Sequence, residues 1–238
     1  MRDVSELAVM ERRLFEMDVI PFRALITASN LSVFTSQFLF KGIELGEDEK
    51  NNVTAIKMQT GEFKIEDKVY PIEALIIERR SITFKIYATS SVAETFYNSI
   101  AEKISNADTS NFFHKDKHLI KTMETSCVVT LDFNHKDIFA KRLNVFLNKR
   151  AKEICSSAIG DVGKVTISPR SITFIVDYTV TDENLLNNKI NITSKALTIE
   201  PRVGISLGEK RFYTVSPTDS DTHLKLLKEV EKLFDGTK

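Results

Sequence analysis

Tryptophan is absent from the 238 residues, and cysteine, glycine and proline are scarce at two, eight and five. Two cysteines, Cys127 and Cys155, are too few for the disulfide framework of a small secreted protein and too few for a cysteine zinc site. The glycines are scattered, so the sequence lacks the glycine-rich loops that cradle phosphate groups. We therefore expect two buried free thiols, and we expect no nucleotide-dependent chemistry.

Neither sign of charge is in excess, because 33 lysine and arginine residues balance 33 aspartate and glutamate residues. A neutral chain has no long-range field that draws it onto nucleic acid or an anionic membrane, so any polyanion site must be a confined patch. No segment reaches the ~18 uncharged apolar residues of a membrane span, and the charged residues 1–17 do not resemble a signal peptide. The sequence thus predicts a cytoplasmic protein that does not bind membranes.

Apolar residues make up 42% of the chain, which excludes intrinsic disorder and predicts a substantial core. Apolar spacing predicts helices over 4–15, 90–105, 136–155 and 219–234, with Ser90 or Ser91 capping the second and Asp219 or Ser220 the last. Between them, segments rich in β-branched and aromatic residues are separated by turn residues. The predicted strands are 24–28, 33–45, 53–59, 62–65, 72–77, 82–88, 127–133, 165–168, 172–180, 190–199 and 211–215.

The run Arg-Ser-Ile-Thr-Phe occurs at 80–84 and again at 170–174, and a looser copy of the preceding turn lies at 199–203. We interpret the copies as hairpin tips produced by internal duplication, with reuse of one hairpin solution as the alternative. The predicted fold is α+β, with two pseudo-equivalent lobes that are each an antiparallel sheet with helices packed on one face. Residues 1–106 form the first lobe, 107–124 a linker and 125–238 the second lobe.

Two tandem α+β lobes in about 240 residues resemble the layout of CRISPR-repeat endoribonucleases and of saddle-shaped TATA-binding-like domains. Such a likeness implies an RNA or DNA partner. This chain departs from both groups, because it is neutral where they are basic and it has no glycine-rich loop near its C-terminus.

A metal site is suggested only by His114, Asp116 and His118, which would share one side of a strand and could together bind zinc or iron. Lys115 and Lys117 favour a solvated loop instead, because their charge opposes a bound cation. Neither cysteine lies in a protease-like setting, and Gly-x-Ser-x-Gly is absent. We therefore expect no metal and no other cofactor.

Three groups of residues are candidates for contact with a partner. A basic side of the predicted helix 136–155 suits phosphate groups but also suits a hydrated surface. Arginines at three similar turns suit an acidic or phosphorylated group, and two adjacent phenylalanines suit docking between the lobes or onto another chain. The candidates are Lys141, Arg142, Lys149, Arg150 and Lys152; Arg80, Arg170 and Arg202; and Phe112 and Phe113.

These features predict a non-catalytic protein-interaction module, a component of a larger cytoplasmic assembly, whose partner is another protein. Homo-oligomerisation is compatible with this reading, and the lack of converging catalytic residue types argues against an enzyme. The alternative is an RNA- or DNA-binding protein or a metal-independent nuclease that uses the basic residues, with His114 or His135 as acid or base. A ligand cavity between sheet and helices is a third possibility.

Overall fold

The computed structural model describes residues 1–133, 145–147, 149–150, 171–178, 183–187 and 192–234. Their nine strands are β1 Arg2–Leu14, β2 Gly42–Glu47, β3 Val53–Ile65, β4 Lys68–Glu78, β5 Ser81–Ile86, β6 Ile120–Thr130, β7 Ile172–Val176, β8 Lys195–Pro201 and β9 Arg211–Ser216. The helices are α1 Phe22–Leu25, α2 Ala28–Phe38, α3 Ser90–Ala107, α4 Glu183–Asn187 and α5 Ser220–Phe234, with a 3₁₀ turn at Leu207–Glu209. Residues 145–147 and 149–150 are also helical.

All nine strands belong to one antiparallel sheet in the order β2-β3-β4-β5-β1-β6-β9-β8-β7. The prediction of two lobes, each with its own sheet, is therefore wrong. β1 pairs directly with β6, from Ala8 opposite Ser126 to Leu14 opposite Ile120. Two separate sheets would each leave a strand edge with unpaired backbone groups, and joining β1 to β6 satisfies those groups. The predicted linker, 107–124, spans the loop after α3 and the first residues of β6.

The N-terminal segment, predicted as an amphipathic helix over 4–15, is instead the central strand β1. The side chains of Val9, Glu11 and Arg13 point to the helix side and are buried. Because two of these three residues are charged, the sequence does not show the alternation of apolar and polar residues that is expected of a strand with one buried face. Register shifts between Arg2 and Ala8 break the alternation further. Hydrogen bonding on both sides, to β5 and β6, therefore outweighs the near-helical spacing of the apolar residues.

The segments 24–28 and 33–45 are predicted as strands, but residues 24–25, 28 and 33–38 are helical and belong to α1 and α2, whereas 42–45 belong to β2. Helical spacing of four residues puts Phe34 and Phe38 on one buried face, where the Phe38 ring lies 5.2 Å from the ring of Phe96 on α3. The chain leaves α2 through Leu39, which has a left-handed backbone (φ 49°), and returns as β2. Packing of aromatic rings against α3 thus overrides the strand preference of these residues.

Other predicted elements are confirmed. α3 and α5 lie where apolar recurrence placed them, and β5 and β9 match their predicted segments closely. Asp219 caps α5, because its Oδ1 atom accepts hydrogen bonds from the backbone N–H groups of Asp221 (3.0 Å) and Thr222 (2.9 Å). Most of the predicted helix 136–155 and the whole predicted strand 165–168 lie outside the described residues.

Helices α1, α2, α3 and α5 pack on one face of the sheet. The larger core lies below α1–α3, where Phe96 contacts Phe63 and Phe84 at ring distances of 5.1 Å. The smaller core lies below α5. The starts of α3 and α5 meet: the Ser90 N–H donates to Ser220 Oγ (3.0 Å), and the Ser220 N–H donates to Ser90 Oγ (2.7 Å). Each helix therefore receives a side-chain cap from the other.

The two copies of the repeated run do not occupy matching strands. Residues 81–84 lie in β5, beside the central strand β1, whereas residues 172–174 lie in β7, the outermost described strand on the other side. A better match joins β4 and β8, because residues 74–80 (Ala-Leu-Ile-Ile-Glu-Arg-Arg) and 196–202 (Ala-Leu-Thr-Ile-Glu-Pro-Arg) share five of seven residues. β4 and β8 are both the second strand outward from the β1–β6 centre.

Candidate functional site

The sheet face opposite helices α1, α2, α3 and α5, here called the open face, carries the residues that alternate with the core. In β1 the side chain of Arg13 points toward α3, where its guanidinium lies 3.4 Å from the centre of the Tyr97 ring. Met10, Arg12 and Leu14 therefore point to the open face, since successive strand side chains alternate. Polar and apolar side chains are mixed here, as on the solvated face of an antiparallel sheet and not as in a second core.

A cleft of about 570 Å³ crosses the open face over four adjacent strands, β4, β5, β1 and β6. Residues 192–195, which lead into β8, form one wall. Its apolar lining is Met10, Leu14, Ile76, Ile120, Met123 and Ile192, and its polar lining is Arg12, Glu78, Arg80, Thr83, Thr122, Glu124, Thr193 and Lys195. With eight polar and six apolar residues, this lining is more polar than that of a typical small-molecule pocket.

Two of the three basic side chains that line the cleft have carboxylate partners. Arg12 lies 3.9 Å from Glu78, and Lys195 lies 3.8 Å from Glu124. Arg80 is the exception, because its Nη2 atom is buried without a hydrogen-bond partner in the part of the chain that the structure describes. The cleft lining therefore has one basic residue more than it has acidic residues.

A third pair extends the open face beyond the cleft. Glu73 accepts hydrogen bonds from Lys85 Nζ (2.7 Å) and from the Tyr87 hydroxyl (2.9 Å). Burial raises the pKa of Glu73, but these two hydrogen bonds outweigh burial and hold that pKa below its ordinary value. Burial lowers the pKa of Lys85, and the Glu73 carboxylate outweighs it in the opposite direction. Both groups are consequently charged near neutral pH.

A charged cluster ties β1 to α3 on the helix side. Arg13 donates to Glu11 and to Glu94, and Lys121 Nζ lies 3.4 Å from Glu11 Oε2 and also donates to Glu94. Glu11 and Arg13 are buried, whereas Glu94 and Lys121 reach solvent. Burial raises the pKa of the neighbouring Tyr97 to about 12. With both acids of the cluster held by cations, we interpret it as a structural clamp.

A neutral cluster, comprising Cys127, Thr214, Ser216 and His223, joins β6 and β9 to α5. His223 Nδ1 lies 2.6 Å from Ser216 Oγ, and His223 Nε2 lies 3.0 Å from Thr214 Oγ1. The Cys127 thiol lies 3.2 Å from Thr214 Oγ1 and 3.5 Å from His223 Nε2. All four side chains are almost completely buried. The prediction of a buried free thiol at Cys127 is confirmed, and Cys155 lies outside the described residues.

Cysteine and histidine side by side resemble a nucleophilic pair, but their electrostatics here oppose activation. Burial raises the pKa of the Cys127 thiol and lowers the pKa of His223 to about 4. Both groups are therefore neutral at neutral pH, and the thiolate that nucleophilic chemistry requires is disfavoured.

The structure describes only some of the arginines and lysines that are predicted to contact a partner. Arg80 lies in the turn between β4 and β5, lines the cleft and donates from Nε to the Phe15 carbonyl (3.2 Å). Arg202 follows β8 and pairs with Glu6 at 3.0 Å. Lys149 and Arg150 are exposed. The remaining basic candidates, Lys141, Arg142, Lys152 and Arg170, lie outside the described residues, as does His135.

The two adjacent phenylalanines have different surroundings. Phe113 is buried, with its ring 5.6 Å from that of Phe15, whereas Phe112 is 70% exposed. The Phe113 backbone N–H donates to Asp108 Oδ2 (2.7 Å), which fixes the loop after α3. Phe113 thus belongs to the core of this chain, and only Phe112 is free to meet another molecule.

His114, Asp116 and His118 lie in a turn and not in a strand, so strand alternation does not bring them to one side. The Lys117 N–H donates to the His114 carbonyl (3.1 Å), and His118 packs edge-on against Phe15 at a ring distance of 6.4 Å. Within the described residues, no three His, Cys, Asp or Glu side chains are grouped closely enough to hold a metal ion.

Sequence reasoning missed the cleft, because its lining depends on the pairing of β1 with β6. The available signal was the alternation of Met10, Arg12 and Leu14 with Glu11 and Arg13, which reads as a strand once charged residues are allowed on the buried side. No protein-family model and no curated protein matches the chain. Of the helices that the structure describes, none combines the length and apolar character needed to cross a membrane.

Proposed function

We propose that this chain is a non-catalytic protein-interaction module, and that its partner protein binds in the cleft of the open face. The observation that carries the proposal is a cleft whose lining combines apolar side chains with charges of both signs. Protein interfaces commonly have this anatomy, with an apolar centre that is desolvated and a polar rim that stays partly hydrated.

The charges at the rim favour a protein partner over nucleic acid. Phosphate recognition relies on cations that are available to the backbone of the nucleic acid. Of the three cationic side chains that line the cleft, Arg12 and Lys195 are paired with Glu78 and Glu124 within 4.0 Å. Among the described residues, only Arg80 has no carboxylate partner. A partner that presents an aliphatic side chain to the floor, flanked by an acidic and a basic residue, could exchange ion pairs with this rim without leaving a charge unpaired.

The buried clusters favour binding over catalysis. The nucleophile-bearing side chains of the neutral cluster are sealed below α5 and are uncharged. The charged cluster has its arginine committed to two carboxylates. Neither cluster lines the cleft, so the buried thiol, the buried imidazole and the clamped carboxylates are separated from the surface where a partner would bind.

Site-specific photocrosslinking tests the proposal. A benzophenone amino acid at Thr83, on the cleft floor, should crosslink one partner protein in cells of the source organism, and the same group at the exposed Thr95 of α3 should not. The crosslinked protein is then purified and titrated against the unmodified chain. Thr83→Arg should weaken that binding by about thirtyfold, because it fills the floor with a charge, and Thr95→Arg should leave it unchanged.

Nucleic acid serves as the competing ligand in the same titration. Short RNA and DNA at two salt concentrations should show no micromolar affinity that is steeply salt-dependent. Such affinity, or equal crosslinking from Thr83 and Thr95, would contradict a protein partner at the cleft.

A further inference from the structure

One edge of the sheet is left open at β2, a surface distinct from the cleft. β2 pairs with β3 through Gly42–Gln59 to Gly46–Ala55, and no described strand pairs with its outer side. Residues 42–45 are all exposed. A free strand edge of this kind can accept another strand, and proteins usually protect it with a short strand, charged side chains, proline or a bulge. β2 has no proline and no register shift before Gly46, but it carries Glu44 and Glu47, so an incoming strand must offset these charges.

The hydrogen-bonding phase shows which backbone groups are available. The Lys41 N–H is shared between the carbonyls of Thr60 (3.1 Å) and Gln59 (3.2 Å), which places Lys41 among the residues bonded to β3. Alternation along an antiparallel pair then assigns Ile43 to the same set, and it directs the N–H and C=O groups of Gly42 and Glu44 away from the sheet. These two residues thus offer a short ladder to an incoming strand.

Apolar side chains that face one another across neighbouring strands of the core continue as far as this edge. Ile43 lies opposite the buried Met58, and Leu45 lies opposite the buried Ile56. Nevertheless Ile43 is 38% exposed and Leu45 is 41% exposed. A tenth strand with apolar residues at matching positions would continue both rows and remove these side chains from water.

Charge indicates what kind of strand fits. Residues 41–50 contain four carboxylates, Glu44, Glu47, Asp48 and Glu49, against the two lysines Lys41 and Lys50. Lys57 of β3 lies opposite Glu44, so the edge has four carboxylates against three lysines. Glu44 lies on the other face of β2 from Ile43 and Leu45. We propose that β2 accepts, by strand addition, an extended segment of another protein in which apolar residues alternate with lysine or arginine. This proposal does not depend on the cleft.

A second copy of this chain is a poorer occupant. Antiparallel pairing of β2 with itself would bring Glu44 close to Glu44 of the other copy, and like charges in facing positions destabilise a sheet. A basic segment instead places a cation near the Glu44 carboxylate. The charge of the edge therefore favours a different chain over self-association.

Synthetic peptides of about ten residues, the upper range of strand length, provide the test. One peptide alternates valine with lysine, and its control alternates valine with glutamate. The full chain should bind the lysine peptide and not the glutamate peptide, as measured by fluorescence anisotropy. Binding should slow hydrogen exchange at the amides of Gly42 and Glu44, which the β3 ladder does not protect.

Two variants separate the backbone and charge contributions. Glu44→Pro removes an outward N–H that β3 does not use, so it should weaken lysine-peptide binding about three- to tenfold while the chain stays folded. Glu44→Lys should reverse the peptide preference, whereas Glu102→Lys on the exposed side of α3 should not. Thr83→Arg should leave peptide binding unchanged, which distinguishes failure at this edge from failure at the cleft.

Three results would overturn the proposal. They are equal binding of the two peptides, amide protection at strands other than β2, and full affinity of both Glu44 variants. Concentration-dependent dimerisation of the unmodified chain that Glu44→Pro abolishes would instead assign the edge to a second copy.

Discussion

The charged cluster and the neutral cluster occupy comparable positions, but they compensate for the burial of polar side chains in different ways. Each ties a central strand to the helix that follows its half of the sheet, β1 to α3 in one case and β6 to α5 in the other. In the register of the sheet Glu11 faces Phe84, and Cys127 faces Thr214. The charged cluster keeps Glu94 and Lys121 in contact with solvent, whereas the neutral cluster is sealed.

This difference shows how burial is matched to charge. A buried ion costs several kcal/mol unless a partner and further hydrogen bonds compensate for the lost hydration. Arg13 meets that requirement with two carboxylates and the face of Tyr97. His223 instead stays uncharged and is held by the hydroxyls of Thr214 and Ser216. The two clusters should therefore respond differently to substitution and to pH.

The largest effect is expected from removing Arg13. Arg13→Met leaves the Glu11 carboxylate buried without its guanidinium, which should lower the free energy of unfolding by about 3–5 kcal/mol. Arg12→Met, one residue away on the open face, should change it by no more than about 0.5 kcal/mol because that pair is exposed. Urea denaturation of both variants measures the difference. Equal losses would show that Arg13 has no special role as the clamp.

The second prediction concerns acid stability. Folding lowers the pKa of His223 from about 6.5 to about 4, so the unfolded chain binds more protons between these pH values. His223 should therefore contribute its full stabilisation above pH ~6.5, and about 3 kcal/mol of it should be lost as the pH falls to about 4. His223→Gln removes the titration, so its unfolding free energy should have a shallower slope in that window. Parallel slopes for the two proteins would contradict the assignment.

The contribution of the charged cluster to stability should depend on pH in a lower range than the contribution of His223 does. Burial raises the pKa of Glu94, but hydrogen bonds from Arg13 and Lys121 outweigh it and hold that pKa below its ordinary value. The contribution of Glu94 is thus complete above the unfolded pKa of a glutamate and declines only as the pH falls through the folded value. A Glu94→Gln variant should accordingly match the unmodified slope between pH 5 and 6.5, with urea titrations at fixed pH as the measurement.

Local patterns predicted some parts of the molecule well. In α3 and α5, apolar residues recur every three to four positions over several turns. In β5, the side chains alternate between the two faces of the sheet, and those of one face are in the core. Cys127 was placed correctly because a cysteine among valines reads as a small apolar residue. In each of these cases the residues that decide the outcome are near neighbours in the chain.

The central strand and the cleft could not be predicted in the same way. β1 pairs with β6 across more than a hundred residues, and no local spacing encodes that contact. The charged side chains of Glu11 and Arg13 disguise the buried face, since their partners Glu94 and Lys121 come from distant segments. The internal duplication stays a prediction, although residues 74–80 and 196–202 now give it a better pair of segments than the original repeat did.

The smallest effect is expected where the two halves of the helix layer meet. Ser90→Ala and Ser220→Ala each remove a hydroxyl that caps the first N–H of the other helix, so each should cost about 1 kcal/mol of unfolding free energy. Ser91→Ala is the matched control, because that hydroxyl contacts only the Thr89 side chain and accepts no backbone N–H. Each hydrogen bond joins the backbone of one serine to the hydroxyl of the other, so both bonds connect the same two residues, and the double variant should cost less than the sum of the single ones. Strict additivity in thermal and urea unfolding would mean that α3 and α5 are capped independently, and that the two clusters are not coupled through their helices.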